Sequence, residues 1–233
     1  KQQYFTEMLE SFQYIGVRDQ ETSNFIKSLV PEKQVYRNCD PTFLLSGSKD
    51  LKFGRKILQK NFVNANRPII SFMTAGLPII KEIKNYLGKS YTFIHFNHRD
   101  RNRDILDRDT RLLINLSPLE WYNVYNQSTL NFSHYFHGTI VGLRNSVPTL
   151  SFDKTNFPYP YVGKNEQVMR DMKLDDYLFF QKTINENIEK QRVFEQIDFA
   201  LKNQESERER IKHAAEIERE RSESFFKALR TYL

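Results

Sequence analysis

Thr129-Leu130-Asn131-Phe132-Ser133-His134-Tyr135-Phe136-His137-Gly138-Thr139-Ile140-Val141-Gly142-Leu143-Arg144-Asn145-Ser146-Val147-Pro148-Thr149-Leu150-Ser151-Phe152 decides the fold. Thr129–Ser133 reads as a buried strand, Thr139–Asn145 as a short helix and Thr149–Phe152 as a second strand. A strand that returns through a helix to a neighbouring strand makes a right-handed crossover, and the two strands run parallel. The junction Ser133–Ile140 carries a histidine and a glycine where the helix begins. Backbone N–H groups and the helix dipole make such an end an anion site, and His137 adds an imidazole, the side chain most often used as an acid or base.

The same alternation extends outward on both sides. Gln13–Val17, Val35–Cys39, Pro68–Met73, Tyr91–Phe96 and Arg111–Asn115 read as strands. Asp19–Leu29, Phe53–Val63 and Leu77–Leu87 read as helices, the last with Ile79, Ile80, Ile83 and Leu87 at helical spacing. The helix after Ser117 is the best marked. Ser117 caps it, Pro118 takes the first helical position, Glu120 completes a capping box, and the helix runs through Trp121 to about Gln127. Near-continuous apolar strands between helices predict an α/β protein, with a parallel sheet covered by helices on both faces. Asp153–Asn165 is rich in Pro, Tyr, Phe and Asn and reads as an ordered loop. Residues 185–233 read as a charged helix or helix pair, with the apolar stripe interrupted at Gln204–Arg210. The expected organisation is one α/β domain over 1–184 and a helical extension over 185–233.

Composition narrows the function. The chain has 233 residues, 39% of them hydrophobic, which is enough for a packed core. No apolar run approaches the roughly 20 residues of a membrane-spanning helix. Cys39 is the one cysteine, so no disulfide framework or thiolate metal cluster is expected, and the cytoplasm is the expected compartment. The net charge of +6 favours anionic ligands. A dense basic stripe interleaved with aromatic residues is lacking, and no nucleic-acid partner is expected. Eight glycines leave no P-loop and no dinucleotide fingerprint.

In an open parallel sheet ligands bind outside the carboxyl ends of the strands. Arg18-Asp19, the group His95, Asn97, His98 and Arg99, the pair His134 and His137, and Asp153-Lys154 all follow strands. Arg18 offers a planar fork for a carboxylate or phosphate, although an Arg18–Asp19 or cap contact is the plainer use. His95 and His98 point to opposite faces if both lie on the strand, and no metal site is expected. The run Arg99, Arg101, Arg103, Arg108, Arg111 alternates with Asp100, Asp104, Asp107 and Asp109 and reads as a self-neutralising loop. Tyr159 and Tyr161 are candidates to stack on a sugar ring or to pack the loop.

Three stretches of the chain resemble the polysaccharide pyruvyl transferase family. Ile15-Gly16-Val17-Arg18-Asp19 with Asp40-Pro41-Thr42-Phe43-Leu44-Leu45 resembles its V-R-D and D-P-x-F-L-L segments. Leu116-Ser117-Pro118-Leu119-Glu120-Trp121 resembles its S-P-E-E-W helix start. Ser133 to Ile140, then Pro148 and Asp153-Lys154, resembles its S-x-x-F-H-G-T-I, helix, proline, strand, D-x-K sequence. The resemblance covers about residues 12 to 155.

The resemblance implies a Rossmann-like sheet similar to the C-terminal half of a GT-B-type glycosyltransferase. It also implies that the chain begins near the end of a first half, with most of an N-terminal domain outside it. The implied activity is transfer of pyruvate from phosphoenolpyruvate to two hydroxyls of a sugar, as a cyclic ketal on a cell-surface or exopolysaccharide precursor. Phosphoenolpyruvate is the donor substrate and no cofactor is required. The acceptor is a lipid- or nucleotide-linked sugar, reached in the cytoplasm, with peripheral contact to membrane-bound machinery at the inner face of the membrane. His137 is the implied catalytic residue. Arg18, Ser133, Tyr135, Gly138, Lys154 and Arg99 are the implied substrate-binding residues. Tyr135 stands where family members often carry an arginine, and Arg99, Arg101 or Lys154 are the candidates to replace that charge. The alternatives are a glycosyltransferase using a nucleotide sugar and a non-catalytic carbohydrate-binding module.

Overall fold

In a computed structural model, residues 2–47, 50, 52–74, 77–96, 110–153 and 162–230 are described. Residues Lys1–Leu45 and Ala215–Leu233 make one unit, and Ser46–Ala214 make a larger one. The boundary expected between residues 184 and 185 is not where these units divide. Lys154, Arg99, His98, Tyr159 and Tyr161 lie outside the described residues, as do Asn97 and Arg101.

The smaller unit begins with α1 (Gln2–Ser11), a helix that the sequence reading leaves unassigned. Two short parallel strands follow, β1 (Ile15–Val17) and β2 (Val35–Arg37), joined through α2 (Gln20–Leu29). Leu9, Ile15, Val17, Ile26 and Val30 form its core. Asp19 caps α2, its carboxylate accepting from the Thr22 N–H at 2.7 Å and from the Thr22 hydroxyl at 3.0 Å. Asp40 does the same for the 3₁₀ turn Pro41–Leu44, accepting from Thr42 N at 2.9 Å.

The larger unit starts with α3 (Phe53–Lys60), β3 (Ile69–Met73), α4 (Ile79–Leu87), β4 (Thr92–Phe96) and β5 (Thr110–Leu113). It continues with α5 (Pro118–Tyr125), β6 (Ser128–Ser133), α6 (Phe136–Arg144) and β7 (Thr149–Asp153). α7 (Lys164–Asp171), β8 (Leu178–Phe180), α8 (Asn187–Lys202) and α9 (Gln204–Arg230) complete the order. Residues 204–214 of α9 belong to the larger unit and its remainder to the smaller. The six strands β3 to β8 are all parallel in the order β5-β4-β3-β6-β7-β8. The chain moves outward from β3 through β4 to β5, returns beside β3 as β6, and moves outward the other way. The order reverses between β3 and β6, and the crevice outside the carboxyl ends of those two strands is the expected ligand position.

Each face of this sheet is covered by its own set of helices. On one face Phe93, Phe72, Phe132, Phe152 and Phe179 make a run of rings across β4, β3, β6, β7 and β8, with centroids 5.2 to 6.5 Å apart. α4 and α8 cover it, joined by Tyr86 against Phe194 at 4.7 Å and by the Lys190–Glu82 ion pair. On the other face Ile57, Leu58, Tyr122 and Tyr125 from α3 and α5 pack with Ile94, Phe96 and Leu113.

The expected capping box at Ser117 is present, with Glu120 accepting from the Ser117 N–H at 2.9 Å. The other differences from the sequence reading are local. α6 begins at Phe136, three residues before the expected Thr139. The expected loop closes early because α7 starts at Lys164. The helical extension breaks at Asn203, ahead of the stretch Gln204–Arg210.

Candidate functional site

α6 lies unusually close to the sheet. Gly138 and Gly142, four residues apart, face the sheet, Gly138 over β3 and β6 and Gly142 over β6 and β7. A Cβ on Gly138 would stand 2.5 Å from Met73 Sδ and 2.6 Å from Ser133 Oγ, and one on Gly142 would stand 2.4 Å from Thr149 Oγ1. Small polar side chains fill the interface beneath. Asn131 Nδ2 donates to Gly138 O at 3.2 Å, its Oδ1 accepts from Ser71 at 3.0 Å, and Thr139 and Ser151 hydroxyls meet at 3.1 Å. These groups are buried and hydrogen-bonded, so they fix the helix in one position.

That position sets the junction. His134 N donates to Met73 O at 3.2 Å, which ties the end of β6 to the end of β3. Ser133 is fully buried, and its hydroxyl donates to Tyr135 O at 2.8 Å. Ser133 therefore supports the turn from inside. Tyr135 occupies the N-cap position without a side-chain cap bond, its ring 4.0 Å from that of His134 and against the core under α5. The first intrahelical bond runs from Thr139 N to Tyr135 O, so the N–H groups of Phe136, His137 and Gly138 precede it.

His137 is exposed on this first turn and lines a cavity of about 320 Å³ with Met73, Phe96, Leu113, Asn115 and Trp121. Met73, Phe96 and Leu113 end β3, β4 and β5, so the cavity lies along the carboxyl edge of the sheet at its switch point. The cavity's aromatic wall is absent from the sequence reading, which takes Trp121 as part of a helix start. The signal was available: the chain's one tryptophan follows a strand end on a strongly capped helix.

The remaining candidates separate. Ser133, Tyr135, His137 and Gly138 are brought together at the junction. Arg18 belongs to the smaller unit, where its guanidinium lies 3.4 Å from the Asp40 carboxylate. Asp153 accepts from Glu166 N at 2.6 Å at the start of α7. Gly163 permits that approach, since a Cβ there would lie 2.1 Å from Asp153 Oδ2. His95 is buried within β4, with Nε2 2.7 Å from Thr74 O.

An open parallel sheet with this strand order, and a histidine on the first turn of a helix at its switch point, defines an α/β protein with a candidate ligand site at its carboxyl edge. The model of the polysaccharide pyruvyl transferase family matches residues 1–156, and the chain belongs to that family. No curated protein matches the chain. Among solved structures, WaaG, a glycosyltransferase involved in lipopolysaccharide biosynthesis, is 8% identical with a TM-score of 0.48, over 86% of this chain and 58% of that one. The wall teichoic acid polymerase TagF is 12% identical with a TM-score of 0.47, over 99% of this chain and 62% of that one. The chain thus spans less than two thirds of either structure's length, and neither likeness carries an argument about function. Among the described residues, no helix is long and apolar enough to cross a membrane.

Proposed function

We propose that this protein moves pyruvate from phosphoenolpyruvate to two hydroxyls of a sugar in a cell-surface or exopolysaccharide precursor. The observation that carries the reading is the place of His137. It stands exposed on the first turn of α6, at the switch-point cavity, within the segment that the family model matches. Protonating the methylene of phosphoenolpyruvate turns it into a methyl group and leaves an electrophilic carbon stabilised by its ether oxygen. One sugar hydroxyl adds there and loses its proton. Phosphate leaves with the C–O bonding pair, and a second hydroxyl adds, loses its proton and closes the ketal. The products are one ketal and one phosphate.

His137 is assigned to the proton delivered to the methylene, or to contact with the phosphate as it leaves. The N–H groups that open α6, with the helix dipole, favour an anion at the same place. Arg18 is assigned to the donor's anionic groups and Lys154 to the leaving phosphate. Arg99 is the candidate for the charge that Tyr135 does not supply. The acceptor is a lipid- or nucleotide-linked sugar.

The test is an assay of the intact protein with phosphoenolpyruvate and a panel of lipid- and nucleotide-linked sugars, reading released phosphate and pyruvylated product. His137→Gln is expected to lower kcat by about 10²–10⁴-fold, the usual contribution of a positioned acid or base. Product formation by His137→Gln at the unaltered rate removes the assignment. Absence of phosphate release across the panel removes the reading.

A further inference from the structure

The cavity beside His137 has one wall that anion chemistry does not explain. Trp121 is half-buried on the first turn of α5, whose start is locked by the Ser117–Glu120 capping box. Its indole stands edge-on to Phe96 at 6.2 Å and 84°, and edge-on to Tyr125 at 5.4 Å and 89°. Phe96 and Tyr125 are themselves buried and stacked at 4.4 Å and 6°. The three rings fix one another, so the indole is oriented before any ligand arrives. Trp121, Phe96 and His137 line the same cavity.

We propose that this cavity is the acceptor subsite, in which Trp121 stacks on the C–H face of a pyranose and directs two of its hydroxyls to His137. The proposal rests on the pyruvyl-transfer reading and divides its two substrates between two surfaces. A pyranose has an apolar C–H face and a rim of hydroxyls, which matches an aromatic wall and an imidazole lining one cavity. The volume of about 320 Å³ suits one ring. Asn115 also lines the cavity, held at a φ of 57°, and offers a carboxamide to a ring hydroxyl. Phosphoenolpyruvate is the poorer fit to this wall. Its carboxylate and phosphate lose hydration against apolar side chains, which is unfavourable without paired donors. Among the described lining residues, the polar groups are the His137 ring, the Asn115 carboxamide and the Trp121 indole N–H, with no Lys or Arg. The donor belongs at the N–H groups that open α6. Ketal formation further requires two hydroxyls within reach of one carbon, which a pyranose supplies with its 4- and 6-hydroxyls.

Trp121 is the chain's one tryptophan, so the emission of the 233-residue chain reports this wall directly. Titration with methyl β-D-galactopyranoside and methyl β-D-glucopyranoside, which differ at the 4-hydroxyl, is expected to give a saturable change in emission with at least one of them. Phosphoenolpyruvate at the same concentration is expected to give none. A response to phosphoenolpyruvate that the glycosides do not share overturns the proposal, and so does no response to either glycoside. In the intact protein, Trp121→Leu is expected to raise the acceptor KM about threefold to tenfold, the range of one aromatic contact. The KM for phosphoenolpyruvate stays within about twofold, and Trp121→Phe recovers part of the acceptor binding. If phosphate release continues in Trp121→Leu with the acceptor KM unchanged, the subsite is wrong and pyruvyl transfer stands. If a glycoside shifts the emission but phosphoenolpyruvate never yields phosphate, the sugar subsite stands and the donor assignment falls.

Discussion

His95 shows what a strand-end histidine does when the sheet closes over it. The Thr74 carbonyl accepts only, so Nε2 carries the proton, and Nδ1 is a buried acceptor with no hydrogen-bond partner among the described residues. Burial pushes its pKa below the ordinary 6.5, the nearby Lys84 charge pushes the same way, and the bond to Thr74 opposes them. The folded state therefore binds the proton less readily than the unfolded chain. The stability that His95 contributes is complete above the ordinary value and is lost as pH falls through the lower folded one. Thermal melts between about pH 7 and about pH 5 should show a falling Tm in the parent protein and a shallower fall in His95→Gln, whose amide keeps a donor for Thr74. Equal slopes would remove His95 from the acid sensitivity. Ser133 and Asp153 make the same point without titrating. Both stand at strand ends as candidate ligands, and both commit an oxygen to local backbone, Ser133 to Tyr135 O and Asp153 to Glu166 N. Residue type and strand end locate the edge of the sheet, but the partner decides between support and ligand.

The helix that presents His137 depends on two residues that have no side chain to offer. Gly142 is the cleaner probe, because the atom a methyl group would meet is Thr149 Oγ1, which is buried and already donates to Val147 O at 2.8 Å. Gly142→Ala should therefore lower stability by about 1–3 kcal/mol, the usual cost of overpacking, seen as a lower urea midpoint at unchanged slope. An unchanged midpoint would mean that α6 can lift away from the sheet freely. Elements with local signals were legible in the sequence. The α5 cap, the α4 stripe and the apolar strands β3, β4, β6 and β7 depend on neighbours within a few residues. α9 was harder to read because its buried stripe is partly polar. Glu207, Ile211, Ala215, Glu218 and Ser222 are all buried at helical spacing. Glu207, only 6% exposed, accepts from the Tyr177 hydroxyl at 3.0 Å and from Arg210 at 2.8 Å. An acidic residue buried against a tyrosine 30 positions away looks, in sequence alone, like a break in an apolar face.

At the scale of the whole chain, the smaller unit is assembled from its two ends. In sequence alone residues 185–233 read as an extension, since nothing local joins them to the first 45. The contacts that do so are single long-range ones. The Phe225 ring fills the space over Gly16, where a Cβ would lie 2.2 Å from it, and meets the Tyr14 ring at 5.3 Å. Cys39 Sγ lies 2.7 Å from Ser222 Oγ and 3.0 Å from Glu218 O. Burial, above all, pushes the Cys39 thiol up to about 12. Two consequences follow from the same geometry. The neutral buried thiol is a poor nucleophile, so Cys39 should resist alkylation at about pH 8 in the native chain and react once it is unfolded. Because the folded value lies above the ordinary 9.0, its stabilising contribution is intact below that value and is lost as pH rises through it toward the folded one. Phe225→Ala separates the two units experimentally. Phe225 is half-buried, so truncation should destabilise the smaller unit by about 1–3 kcal/mol, below the range of a fully buried phenylalanine. Local opening then becomes about 5 to about 160 times more frequent, and the Cys39 alkylation rate should rise by that factor. Trp121 belongs to the larger unit, and its emission is expected to stay native in this variant. Unchanged alkylation would show that residues 215–230 contribute no protection to Cys39, and joint loss of both signals would show that the chain opens as one cooperative body.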